Sequence, residues 1–372
     1  RSPNRFAPLE PRSFVGLKIL HVDAGASWRG GQRQALLLAQ ALANAGGDEC
    51  VIVARHRGPL AARARASGLA VAAMKMPSEW KPASVRQLRT VIRRYAPDVV
   101  HAHDARGHGL ALLALALLPA RERPPLVVTR RVVFRPRSVR LKYGARVARF
   151  IAISRAVRDS MVGAGIDASR ITVVYSGVPA PSVATSRDWR KECRWPANSV
   201  VCGVVGAMTG EKGVAEVTEI ARRLPADAAR DTRLVLIGGE RADRSTMGGI
   251  EVHRPGFLDD VHEAMAGLDV LWHPSSSEGL GTAVIDAMAL GVPPIAYSTG
   301  GLPELIESGV NGILVAPGDP VAFAAAAASL IRDPGLRSRL GSAGPARAAR
   351  FGVDRMVEGT RAVYLEALSG EL

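Results

Sequence analysis

Short apolar runs alternate with helical stretches along this chain, and that alternation restricts its fold more than any other feature. LKILHV (17–22), CVIVA (50–54), LAVAAM (69–74), DVVHAH (98–103), PLVVT (125–129), RFIAIS (149–154) and ITVVY (171–175) read as strands. Stretches such as 31–45, 82–96 and 106–118 carry a helical period between them. Strand–helix alternation builds βαβ units around a parallel sheet. The runs are apolar almost throughout, as strands covered on both faces must be. At 179–196 (PAPSVATSRDWRKECRWP) the rhythm breaks into Pro, Ser and charge, which reads as a linker. It restarts with VVCGVVG (200–206), RLVLIG (233–238), DVLWHP (269–274), PPIAY (293–297) and GILVA (312–316). The expectation is an α/β chain with two Rossmann-like, doubly wound domains facing a central cleft. The first covers 1–178, with 1–16 as a mobile arm, and the second covers 179–350. A C-terminal helix over 351–372 is expected to pack back toward the first domain.

Composition removes other classes. At 47% hydrophobic and 22% charged, the chain can bury a core and is not disordered. The longest apolar run, GLALLALALLPA from Gly109, is far short of the ~20 residues that span a bilayer, and it reads as a buried helix. The first residues carry charge without the apolar stretch of a signal peptide. Cys50, Cys193 and Cys202 are too few and too scattered for a disulfide framework or a zinc site, which points to a reducing, cytoplasmic compartment. Charge is uneven: residues 1–190 hold 32 Lys and Arg against 11 Asp and Glu, and the remainder holds 17 against 23. A basic half suits nucleic acid, an anionic membrane surface or a phosphorylated substrate, and is equally what an Arg-rich genome paints on an ordinary surface. With 5% aromatics and no reading module, nucleic acid is not the expected partner.

Open α/β sheets bind ligands beyond the carboxyl ends of their strands, so residues just after strands carry the chemistry. After DVLWHP come Glu278, the glycine loop Gly279-Leu280-Gly281, and a helix opening at Thr282 that carries Asp286. Helix-start amides attract anions, and carboxylates accept paired hydrogen bonds from vicinal hydroxyls. Taken singly, Glu278 reads as well as a helix cap, and Asp286 as a solvated helix acid. VGAMTGEKG (205–213) places Lys212 on a turn where it can reach a diphosphate, although any lone loop lysine can be mere surface. Arg130 and Arg131, at the end of PLVVT, suit phosphate or an acidic acceptor, or are a plain surface pair. His101 and His103 share one face of a strand end. An H-x-H pair can bind metal, but no carboxylate partner is evident, and a buried, hydrogen-bonded role suits His101 better. Gly30-Gly31 precede a helix after the first strand, with Trp28 and Arg29 beside them.

Ser275–Gly312 resembles the retaining glycosyltransferases of family 4, which have the GT-B fold. Their pattern, E-G-x-G-x-x-x-x-E-A-M-A-x-G-x-P, stands here as Glu278-Gly279-Leu280-Gly281, Asp286-Ala287-Met288-Ala289, Gly291 and Pro293, followed by Gly300-Gly301-Leu302-Pro303-Glu304 and Asn311-Gly312. The resemblance spans almost the whole chain and is most specific over 200–316. It implies transfer of a sugar from a nucleotide-diphosphate donor to an acceptor hydroxyl with retention, without metal or other cofactor. By resemblance Glu278 meets the donor sugar, Asp286 the ribose, Lys212 the diphosphate and His103 the reacting centre. The donor contacts would be completed by Gly30, Gly31, Gly279, Leu280, Gly281 and Thr282. The chain departs from the family twice: Asp286 replaces a Glu, and Ala207 stands where the family has an Arg. Arg130 and Arg131 are the candidate replacements for that cation. The expected acceptor is a glycan, glycolipid or phosphorylated molecule of cell-envelope or lipopolysaccharide synthesis, met peripherally at the cytoplasmic face of the inner membrane. A catalytically weakened relative that only binds nucleotide sugar, and a GT-B isomerase or phosphorylase, are the rival readings.

Overall fold

The computed structural model describes residues 16–133, 142–183, 185–208, 214–239 and 242–370. Of the arm expected over 1–16, residues 1–15 lie outside the described residues. The first sheet contains β1 (Lys18–Asp23), β2 (Glu49–Arg55), β3 (Ala70–Met74), β4 (Val99–Ala102), β5 (Leu126–Arg130), β6 (Arg149–Ala152) and β7 (Ile171–Val173). Its order is β3-β2-β1-β4-β5-β6-β7, all parallel. The second contains β8 (Val200–Val205), β9 (Thr232–Ile237), β10 (Ala242–Met247), β11 (Ile250–Gly256), β12 (Val270–His273), β13 (Pro294–Tyr297) and β14 (Ile313–Val315). Its order is β10-β11-β9-β8-β12-β13-β14. Strand order reverses between β1 and β4 and again between β8 and β12, which creates a crevice beyond each of those two points.

Local rules account for the helices between the strands. Helix Pro82–Tyr95 starts on proline, whose missing N–H costs nothing there, and buries Val85, Leu88 and Ile92 at helical spacing. Helix Ala105–Ala116 is buried nearly all round, and its N-cap Asp104 accepts from the amides of Arg106 and Gly107. No helix among the described residues is long and apolar enough to cross a membrane.

Two features differ from the expected pattern. Neither β11 nor β10 is among the expected strands. β11 (IEVHRPG) interleaves polar residues and presents no continuous apolar run. β10 is a polar edge strand, pairing antiparallel with β11 through a two-residue Gly248-Gly249 turn in which both glycines have positive φ. Its solvent-facing residues carry none of the apolar signal that marks the inner strands. Nor is 179–196 a plain linker. Trp189 opens a short helix, Trp189–Cys193, is fully buried, and donates its indole N–H to the Ala264 carbonyl at 2.8 Å. The second domain therefore begins its packing before β8.

The C-terminal helix Val353–Ser369 lies against the first sheet. Val178 bridges Gly352, Met356 sulfur accepts from Gly177 N–H, and Met356, Val363 and Tyr364 are buried. Each such side chain contributes roughly 1.5–3 kcal/mol by leaving water. All three cysteines are buried and free.

Candidate active site

Strand β1 ends on His21-Val22-Asp23, and β4 runs through His101 to His103 just beyond its end. Parallel register sets His21 opposite His101. His101 is fully buried, with Nδ1 2.6 Å from the Tyr364 hydroxyl and Nε2 2.7 Å from Thr129 Oγ1. Both of its nitrogens are thus committed to the scaffold. His103 Nδ1 lies 3.3 Å from Arg131 Nη2, and His103 Nε2 lies 2.9 Å from His21 Nδ1. A guanidinium can only donate, so His103 accepts at Nδ1 and carries its proton on Nε2. It donates that proton to His21, which leaves the His21 proton on Nε2, a buried atom with no partner among the described residues. Burial, the neighbouring histidines and Arg131 hold His101 and His103 well below the usual histidine range, and burial drives His21 down to about 3. The three rings are near enough to hold one ion. Yet His101 is doubly hydrogen-bonded and the other two bond each other, which is the geometry of a neutral hydrogen-bond chain.

Arg131 and Arg130 leave the end of β5 in different directions. Arg131 reaches His103 and, at 3.5 Å, Ser176 Oγ; a side chain on Gly31 would touch its Cδ. It therefore stands at the start of helix Gly30–Gly46, beside the unpaired amides of that first turn. Burial lowers Arg131 to about 10, partly offset by Asp23, so it stays cationic at neutral pH. Arg130 is buried with its guanidinium 5.8 Å from the Tyr143 ring centre. Asp23 accepts from Gly25 N–H at 2.8 Å and Gln32 Nε2 at 3.0 Å, which ties down the loop before the helix. Burial and Asp104 raise the Asp23 carboxyl.

In the second domain, β12 ends at His273, whose Nε2 lies 3.0 Å from Glu278 Oε2. Helix Thr282–Ala289 starts after Gly281, which holds the N-cap position at φ +98°, three residues beyond Glu278. Leu280 is buried in the core and can offer a ligand only its backbone. Thr282 is half-buried at the helix start. Asp286 is not a solvated helix acid. It is 4% exposed, with Oδ1 3.0 Å from His262 Nε2 and Oδ2 3.1 Å from Arg33 Nη1 of the first domain. Gly279 is pressed against the first domain: a Cβ there would collide with the Arg131 carbonyl. Ala207 is exposed just beyond β8. Lys212 lies outside the described residues.

The fold thus brings Gly30, Gly31, His103 and Arg131 together, and sets Glu278, Gly279, Gly281, Thr282 and Asp286 across from them. Arg130 is directed away to Tyr143. Sequence reading passed over His21, Asp23, Arg33, Asp104, His262 and His273. Polar residues closing an apolar strand (HVD, HAHD, LWHP) were the available signal for four of them. Nothing local marks Arg33 or His262, which act across long sequence separations.

Comparison with known proteins agrees with this architecture. Residues 28–180 match the model of Glycosyltransferase Family 4, and residues 185–347 match that of Glycosyl transferases group 1. A D-inositol 3-phosphate glycosyltransferase of Xylanimonas cellulosilytica is 31% identical over 224 residues, 55% of this chain and 53% of that protein. The chain thus matches about half the length of such relatives. The 2-deoxystreptamine N-acetyl-D-glucosaminyltransferase of Streptomyces fradiae is 28% identical over 90% of this chain and 92% of its own. The solved structure of Anabaena HepE in complex with UDP-glucose superposes with a TM-score of 0.79 at 20% identity, covering 93% of this chain and 98% of that one. Two family models covering successive halves, on two Rossmann-like sheets whose crevices face each other, make this chain a member of the group 1, family 4 glycosyltransferases, with the GT-B fold.

Proposed function

We infer that the protein is a retaining glycosyltransferase that moves a sugar from a nucleotide-diphosphate donor to an acceptor hydroxyl. The observation that carries this reading is the meeting of the two strand-end loops. The Arg131 cation and the Gly30–Gly31 helix start stand against the Glu278–Thr282 loop, with Gly279 touching the Arg131 backbone. An arginine beside helix-start amides suits a leaving diphosphate. Arg131 takes over from the missing arginine at Ala207, together with Lys212. Glu278, oriented by His273, meets the sugar hydroxyls, and the lone pairs of Asp286 left by His262 and Arg33 accept the ribose. The bond from the anomeric carbon to the diphosphate breaks, and a bond to the acceptor oxygen forms on the same face. The acceptor proton passes to the departing phosphate oxygen. Because protein cations meet the diphosphate charge, turnover should survive chelation of divalent metals.

A uridine donor is the first to test, given the UDP-glucose in the HepE structure. A thermal-shift panel of UDP, GDP, ADP, CDP and CMP should single out one diphosphate, since ligand at 100 times its Kd adds about 2.7 kcal/mol. Lys212→Ala and Glu278→Ala should each lower turnover by about tenfold or more, roughly 1.4 kcal/mol of barrier; near-wild-type turnover in either ends its assignment. Ala207 favours a second reading, a relative that binds nucleotide sugar without transferring it. Donor turnover separates the two. The basic first half favours an acceptor at an anionic cytoplasmic membrane face in envelope glycan synthesis. Salt-sensitive pelleting with anionic but not neutral vesicles would support that acceptor; equal pelleting with both would count against it.

A further inference from the structure

Helix Arg155–Val162 follows β6 in the first domain, and its N-terminus grips the second domain at two points. Ser154, its N-cap, accepts from Val157 N–H at 3.1 Å and donates its hydroxyl to the Gly279 carbonyl at 2.6 Å. Glu304 supplies the anion such a helix start attracts. Its Oε2 accepts from Arg155 N–H at 3.0 Å and from the Tyr175 hydroxyl at 2.8 Å, and its Oε1 accepts from Ala156 N–H at 3.1 Å. Glu304 sits in the short helix Leu302–Leu305, directly after Gly300 and Gly301. Those glycines lie under the Glu278–Gly279 loop: a Cβ on Gly300 would strike the Glu278 carbonyl, and one on Gly301 would crowd Gly279 and Ser154. The Glu304 backbone is itself held, its carbonyl accepting from Arg347 Nη2 at 2.6 Å. Glu304, the glycine pair and the loop bearing Glu278 therefore form one stack, and the first domain holds both ends of it.

We propose that Ser154 and Glu304 are positioning residues for sugar transfer. They clamp the Glu278–Gly281 loop against the first domain, so that Glu278 and the Arg131 site are aligned and closed to water only when the clamp is made. The inference rests on the transfer reading above. It assigns these residues to the chemical step and to the choice of acceptor over water, and not to nucleotide binding. Groups that merely bind the nucleotide would raise Kd; a clamp acts on kcat.

The test compares wild type with Glu304→Ala, Glu304→Gln and Ser154→Ala. UDP affinity is read by calorimetry, turnover with UDP-glucose is divided into transfer and hydrolysis, and domain docking is read by small-angle scattering. Glu304→Ala should keep UDP affinity within about threefold while kcat falls about tenfold or more, since misplacing reacting groups by an ångström can cost that much. Its hydrolysed fraction should rise and its radius of gyration increase. Glu304→Gln, which retains one acceptor oxygen, should recover part of the loss. If Glu304→Ala does not fold, Tyr175→Phe and Glu304→Gln carry the same readouts. Unchanged kcat together with an unchanged scattering curve overturns the proposal, and so does a loss confined to UDP affinity. If wild type transfers no sugar, the transfer reading fails by itself, and scattering alone decides the clamp: opening in Glu304→Ala upholds it, and identical curves refute it.

Discussion

Replacing Arg131 by alanine removes two things at once. The guanidinium donates to His103 Nδ1 at 3.3 Å and to Ser176 Oγ at 3.5 Å, and it is the cation at the start of helix Gly30–Gly46. A charge-assisted hydrogen bond is worth about 1.5–3 kcal/mol. If that bond reaches the leaving diphosphate in the transition state, its loss lowers kcat/KM by about 10- to 150-fold, at 1.36 kcal/mol per decade. His103, 3% exposed, would keep an unpaired acceptor, which costs about 1–3 kcal/mol of stability. For a domain of this size that is a Tm drop of about 2–4 °C per kcal/mol. The two effects separate in Arg131→Lys. A lysine restores the charge but not the planar fork, so part of kcat/KM should return while the His103 contact does not. Steady-state kinetics with the donor picked out by the nucleotide panel, alongside thermal melts, measures both. If alanine and lysine variants both keep kcat/KM within about threefold of wild type, Arg131 does not serve the diphosphate and the geometry has been misread.

Tyr364→Phe should lower Tm with little change in kcat, because it strips His101 Nδ1 of its partner deep in the first domain, at a cost of about 1–3 kcal/mol; a melt within 1 °C of wild type, on the roughly 2–4 °C per kcal/mol scale, would refute the pairing. Acid should weaken the fold through histidines held neutral by burial, His21 and His108 both at about 3. Their folded pKa lies below the unfolded value, so the unfolded chain binds more protons between about pH 3 and 6.5. Stability is then full above 6.5 and declines as pH falls, by about 1 kcal/mol per histidine from pH 7 to 5.5. Urea midpoints equal at those two pH values would contradict it. Gly279→Ala should drive a Cβ into the Arg131 carbonyl, an overpacking cost of about 1–3 kcal/mol that opening of the domains relieves. Turnover should fall while each domain keeps its own melt, and full activity would show that the seam tolerates the methyl group.

Most inner strands were legible because a parallel sheet covered on both faces demands continuous apolar runs, and VVCGVV or KILHV cannot hide that demand. Inner strand β11, IEVHRPG, interleaves polar residues and was missed. Edge strand β10, ADRSTM, obeys no such demand and left no trace. Trp189 sat unnoticed in a Pro- and Ser-rich stretch because composition averages over a segment, while burial belongs to one side chain. In the site, the Glu278–Thr282 loop was readable from its glycines and carboxylate. The environment of Asp286 was not, because Arg33 stands 253 positions away and His262 on another helix.

By itself, then, the sequence determined two successive α/β units and the strand ends where ligands bind, since these follow from periodicities written locally, and its Glu278–Gly312 motif carried the resemblance to the family. The tertiary structure alone decided which of two adjacent arginines faces His103 and the Gly279 loop, how His103 is wedged between Arg131 and His21, and that Glu304 closes a helix of the opposite domain. Those choices depend on where a side chain's few polar atoms find partners once the backbone has closed. The energy of such a partnership turns on tenths of an ångström between residues that the chain order keeps far apart.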